Sequence, residues 1–179
     1  MIDLTPACDE MARMLAAIDD AQLDDPTPCA EYTVAELIGH VDDAARNFAA
    51  MARGDGEPAD RADGRDGVAG HVRELAAAWR REVAWNGVSE GAGVKLPNEV
   101  WGKIALTEMV VHVWDLAKAT GRPFEMPEET LEACLEHVAE FIPTAPLPSL
   151  WEPPVPVADD APVIDRIVGI TGRSPAWPS

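Results

Sequence analysis

The sequence predicts an all-α protein: a four-helix bundle with short additional helices and a Pro-rich C-terminal wrap. Three observations carry this expectation. Ala, Asp, Glu and Arg are abundant, a composition that favours helix over sheet. The few β-branched residues never alternate at period two over a useful length. Apolar residues instead recur at helical spacing in several long stretches, separated by turns rich in Pro and Gly. With 179 residues, the chain is long enough to bury a core as a single domain, residues 1–179, without disulfides or metal to hold it together.

The first helix is expected from Leu4 to Asp20, with Met11, Met14, Leu15 and Ile18 as its apolar stripe. Pro26 and Pro28 then forbid helix in DDPTPCAEY. Thr33-Val-Ala-Glu36 is a capping box opening the second helix, with Tyr32 and Leu37 placed as a hydrophobic staple. That helix should run to Met51 or Arg53. Residues 54–67, GDGEPADRADGRDG, read as a mobile acidic loop. A third helix is expected over Val68–Trp85, followed by a connection with a short extended piece at Val94–Leu96. The fourth runs from Asn98, read as its cap, to Ala119, and Gly121 with Pro123 stops it. Pro127 sits in the first turn of a fifth helix reaching Ile142. Residues 143–160 hold too many prolines for regular structure and should wrap over the bundle in extended form, before a short terminal helix over 161–172.

The formal net charge of −18 argues against nucleic acid and anionic membranes as partners, because a basic face supplies most of that affinity. The longest apolar segment, residues 104–117, is interrupted by Glu108, His112 and Asp115 and is too short to span a bilayer. The N-terminus is acidic where a signal peptide would be basic. Cys8, Cys29 and Cys134 are odd in number and far apart, as expected of free thiols in a reducing compartment, the cytoplasm by default. None is placed as a nucleophile. A homodimer is compatible with a helix bundle, but no strip of the sequence can be assigned to an interface.

The fourth helix is hydrophobic nearly all round and should be the most buried. At 100° per residue, Trp101, Ile104, Glu108, Val111, His112, Asp115 and Ala119 fall on one strip of it. A buried carboxylate in that company needs compensation. Protonation, pairing with His112 or an arginine, and binding of a cation all remain open from spacing alone. His40, on the second helix at the edge of its apolar stripe, is the best candidate for a third ligand. His71 and His137 read as surface or boundary residues.

Two segments, DPTPCAEYTVAELIGHV (25–41) and ALTEMVVHVWDLAKATGRP (105–123), resemble the metal-binding DinB-like group. This group includes the N-terminal domain of mycothiol-dependent maleylpyruvate isomerases. VPVADDAPVIDRIVGITGR (155–173) is similar to a tail of its single-domain members. The resemblance implies a bundle whose divalent metal, zinc first and nickel second, is held by His40, Glu108 and His112. It also makes Asp115 a candidate for orienting a ligand or a bound molecule. A three-ligand zinc with an open position supports thiol-dependent chemistry, so the leading expectation is a transferase or isomerase acting on a small molecule with a low-molecular-weight thiol, mycothiol being the first guess. The alternatives are a structural or sensory metal without catalysis, and a metal-free bundle with a buried Glu–His pair.

Overall fold

The computed structural model describes residues 1–54, 56–146 and 151–178 and is mostly helical, with one small hairpin. Helices α1 (Thr5–Ala17), α2 (Val34–Arg53), α3 (Gly64–Trp79) and α4 (Asn98–Thr120) form the bundle. Around its ring α1 neighbours α3, α3 neighbours α2, α2 neighbours α4, and α4 closes onto α1. Helix α5 (Glu128–Phe141) packs against α4 and against α6 (Val163–Ile170). No helix among the described residues is long and apolar enough to cross a membrane.

The core is one cluster drawn from every bundle helix. Helix α4 is its axis, buried without a break from Ile104 to Ala117, as its all-round hydrophobicity requires. Gly102 lets it approach the aromatic cluster closely. A Cβ there would lie 2.7 Å from the Trp85 ring and 2.8 Å from that of Trp79. Those two indoles meet edge to face, with centroids 5.0 Å apart.

Helix α2 begins as its capping box dictates: Glu36 N–H donates to Thr33 Oγ1, and Thr33 N–H donates to Glu36 Oε2. Both α2 and α4 end on left-handed glycines, Gly54 (φ 73°) and Gly121 (φ 66°). Other boundaries differ from the sequence expectation. Helix α1 stops at Ala17, and a 3₁₀ turn at Asp20–Gln22 follows. Helix α3 starts four residues early and ends at Trp79, since Arg81 is extended and a separate 3₁₀ turn covers Glu82–Trp85. Asn98 does not cap α4. Its Nδ2 donates to the Asn86 carbonyl at 2.7 Å, and the cap position falls to Pro97.

The connection before α4 holds a hairpin, β1 (Val88–Gly91) and β2 (Val94–Pro97), where only the second strand was legible. Its two-residue turn puts both Ala92 (φ 49°) and Gly93 (φ 78°) in the left-handed region, as a type I′ turn needs. Alanine there carries no sequence signal. The hairpin is fixed to α4 by Trp101, whose Nε1 donates to the Ser89 carbonyl at 3.0 Å.

The acidic loop after α2 is tied back to that helix. Arg46 Nη1 donates to the Ala59 carbonyl at 2.7 Å, and Ala62 N–H donates to Asp42 Oδ2 at 3.1 Å. Beyond α5 a short 3₁₀ turn covers Ile142–Thr144. Of the predicted extended wrap, residues 147–150 lie outside the described residues. From Trp151 the chain runs extended against α6, with Val155 N–H on the Gly169 carbonyl at 2.8 Å. After α6 it passes along the second half of α4, where Lys118 Nζ donates to the Pro175 carbonyl at 3.0 Å.

Candidate metal centre

Helix α4 carries Glu108 and His112 one turn apart, and the ring order sets α2 beside it with His40 facing them. Glu108 Oε2 lies 3.0 Å from His40 Nε2 and 3.2 Å from His112 Nε2. One ligand atom from each of the three residues lies within 4.8 Å of the others. The two imidazoles meet edge to face with centroids 4.8 Å apart. Tyr32, just before the α2 cap, stacks on the outer face of His40 at 5.2 Å. That placement follows from the loop: Val34 N–H binds the Asp25 carbonyl, and the Thr27 hydroxyl reaches the Cys29 and Tyr32 carbonyls.

Asp115 completes the strip one turn further on. Its Oδ2 accepts from His112 Nδ1 at 2.9 Å, which leaves His112 Nε2 as the nitrogen that points at Glu108. The same oxygen accepts from Arg173 Nη2 at 3.3 Å, while Arg173 Nη1 donates to the Thr171 carbonyl at 2.6 Å. The Arg173 guanidinium lies 5.4 Å from the Trp151 ring centre. Asp115 is wholly buried, and Arg173 is only 4% exposed. Nothing in the sequence assigns a role to Trp151, or to Arg173 beyond its place at the end of the 155–173 segment.

The electrostatics follow from burial opposed by partners. Burial raises the Glu108 carboxyl, but hydrogen bonds from His112 and His40 outweigh it and hold the group well below the usual carboxylate range. Burial lowers His112, yet hydrogen bonds to Asp115 and Glu108 prevail and raise it to about 9. Without a cation, these partners favour a protonated His112 beside an ionised Glu108.

The three residues also fit a divalent cation. Two imidazole nitrogens and one carboxylate oxygen are a common donor set for zinc. Two of their three separations, 3.0 and 3.2 Å, are close to the roughly 3.3 Å expected of donors at about 2.0–2.1 Å around a tetrahedral ion, and the third lies within 4.8 Å. The second nitrogen of His112 is already committed to a carboxylate, as metal-binding histidines usually are. His40 and Glu108 stand in the wall between two cavities. The larger, about 680 Å³, opens between α2, the hairpin and α4. The smaller, about 100 Å³, is lined by Cys29, Tyr32, His112 and Arg173 as well.

The chain matches the mycothiol maleylpyruvate isomerase N-terminal domain family over residues 4–117. It belongs to this family. Two uncharacterized proteins of Mycobacterium tuberculosis, Rv0738 and MT0763, are each 32% identical to it over 179 residues, covering 94% of this chain and 94% of theirs. Crystal structures of the mycothiol-dependent maleylpyruvate isomerase and of a histidine mutant of it share the fold. Their TM-scores are 0.53 and 0.56 at 22% and 20% identity, over 76% of this chain. The chain spans 66% of the length of those two structures. The all-α bundle expected from the sequence is thus the fold of the family.

The remaining histidines and cysteines lie apart from the cluster, with one exception. His71 Nδ1 is 2.7 Å from Asp42 Oδ1 at the edge of α3. His137, read as a surface or boundary residue, is instead buried on α5, stacked on Phe141 at 5.1 Å, and burial lowers it to about 4. Cys8 and Cys134 are buried thiols whose ionisation burial opposes, Cys134 being pushed up to about 12. Cys29 is the exception, for it lines the smaller cavity, although burial pushes its thiol up as well.

Proposed function

We propose that His40, Glu108 and His112 hold a divalent cation, zinc in the first instance, and that this centre serves thiol-dependent transfer or isomerisation of a small molecule. The observation that carries the proposal is the convergence of three donors from two helices in a wall shared by two cavities. When bound there, the cation supplies Lewis acidity that favours the ionised form of a thiol or water at an open position.

The chain's own residues bind and orient. Asp115 holds the His112 ring by Nδ1 and keeps Nε2 directed at the site, and Arg173 secures Asp115 in turn. Stacking of Tyr32 restricts the His40 ring and covers its outer face. Glu108 contributes the negative charge that two neutral imidazoles lack. The larger cavity offers room for a small-molecule substrate beside Glu108 and His40. The nucleophilic thiol comes from outside, because Cys8 and Cys134 are buried away from the site and the Cys29 thiol is held in its neutral form. The solved relatives are named for mycothiol, which makes mycothiol or a similar low-molecular-weight thiol the proposed co-substrate.

A second reading has one observation in its favour. The separations of 3.0 and 3.2 Å are also hydrogen-bond distances, so a metal-free Glu–His–His network would satisfy the same groups. Cobalt substitution followed by titration with small thiols separates the readings. Thiolate binding should add a charge-transfer band and shift the visible spectrum. A spectrum unchanged by any thiol, or no cobalt uptake at all, would count against the proposal.

A further inference from the structure

We infer that the larger cavity is a subsite for an uncharged, largely apolar molecule and discriminates against carboxylates. This deepens the proposed function by naming the substrate class of the same site, and it rests on that reading only for the reaction, not for the binding.

The body of the cavity is apolar, with Phe48, Met51, Trp101 and Ile104 forming its walls. Its ionisable groups are Asp43, Glu90, Glu108 and His40, and no Lys or Arg side chain lines it among the described residues. Three cations beside the wall, Arg46, Arg61 and Lys95, are already paired with its own acids. Arg46 and Arg61 both donate to Asp43, Arg46 also to Asp42 and to the Ala59 carbonyl, and Lys95 lies 3.6 Å from Glu90. The other polar groups are the Asn47 side chain and the Ser89 strand, whose carbonyl is occupied by Trp101. A carboxylate entering this space would leave water and meet no cation among the lining residues, only acids whose Arg and Lys partners are already committed to them, with at most one bound metal as a counter-charge. A dicarboxylate such as maleylpyruvate would leave at least one negative group without a partner. An uncharged molecule suffers neither penalty and can donate hydrogen bonds to the carboxylates on the wall.

Met51 makes the inference directly observable. Of the six methionines, it alone lines the cavity among the described residues, so its ¹³C-labelled Sε-methyl signal, assigned with Met51→Leu, reports occupancy. The probes are 4-phenylbutanol and 4-phenylbutyrate, which share a skeleton and differ in charge. Titrated into the protein as isolated, and in parallel after chelation, the alcohol should move the Met51 signal at concentrations at least about tenfold lower than the carboxylate. Glu90→Lys, a change on an exposed hairpin side chain, should bring the two probes closer together. Equal or tighter binding of the carboxylate, no response of Met51 to either probe, or a gap untouched by Glu90→Lys would overturn the inference. If the protein instead binds no metal while the preference holds, the metal reading fails and the subsite stands.

Discussion

Asp115 is the residue on which the candidate centre turns. It has no solvent exposure, one oxygen shared by His112 and Arg173, and a second oxygen with no hydrogen-bond partner among the described residues. Groups in this position orient metal-binding histidines, and their loss typically costs 10–100-fold in affinity. Asp115→Asn should therefore weaken zinc binding by about that factor while leaving stoichiometry intact, as competition with a chromophoric chelator will show. The two ionisations at the site also make its pH dependence specific. His112 is raised to about 9 in the cation-free protein, so its stabilisation is complete below about 6.5 and is lost as pH rises through 9. Glu108 is depressed, so its contribution is present above about 4.5 and is lost as pH falls toward the folded value. Between those limits, zinc must displace the proton of His112. Calorimetric titrations near pH 7.5 in buffers of different ionisation enthalpy should show about one proton released per zinc. No dependence on the buffer would contradict this protonation state. At this scale the sequence was informative where chemistry clashed with its surroundings: a glutamate and a histidine in an apolar helix stand out. Arg173 does not, because an arginine 58 residues downstream of Asp115 has nothing local to mark it.

Among the elements, α4 is both the core of the bundle and the carrier of the site, so its packing governs the position of Glu108 and His112. Gly102 is a point of close approach in that packing. Gly102→Ala would gain helix propensity but force two indoles apart, and overpacking of this kind costs about 1–3 kcal/mol. Urea unfolding should show the loss, with the midpoint lowered and the m-value unchanged. Helix existence was readable from periodicity and caps, since Thr33, Glu36 and Gly121 each announce a boundary through a defined hydrogen bond or φ. The hairpin was not, because its turn places an alanine where Asn, Asp or Gly would normally signal it. The apolar spacing carries helix α3 past its true end for a related reason: Val83 continues the stripe, yet the structure leaves it 61% exposed on a separate turn.

Over the whole molecule, the site depends on segments far apart in the sequence. The family match ends at residue 117, but Trp151 and Arg173 come from the C-terminal segment that packs along α4. Gly172 (φ 86°) permits this arrangement, because a Cβ there would lie 2.4 Å from the Glu152 side chain. A chain ending at residue 150 should keep the bundle helices, since α1 to α4 supply most of the core and α6 adds only Ile167 to it, but should bind zinc more weakly by roughly the 10–100-fold expected for a lost orienting partner. Circular dichroism and chelator competition on the shortened chain check the two halves of that statement. The most direct test of the central claim is the metal content of the purified protein by elemental analysis, alongside Glu108→Ala and His112→Ala. The wild-type chain should carry about one zinc, and each variant should carry little or none. A wild-type protein without metal after supply of zinc, or variants that retain it in full, would contradict the account.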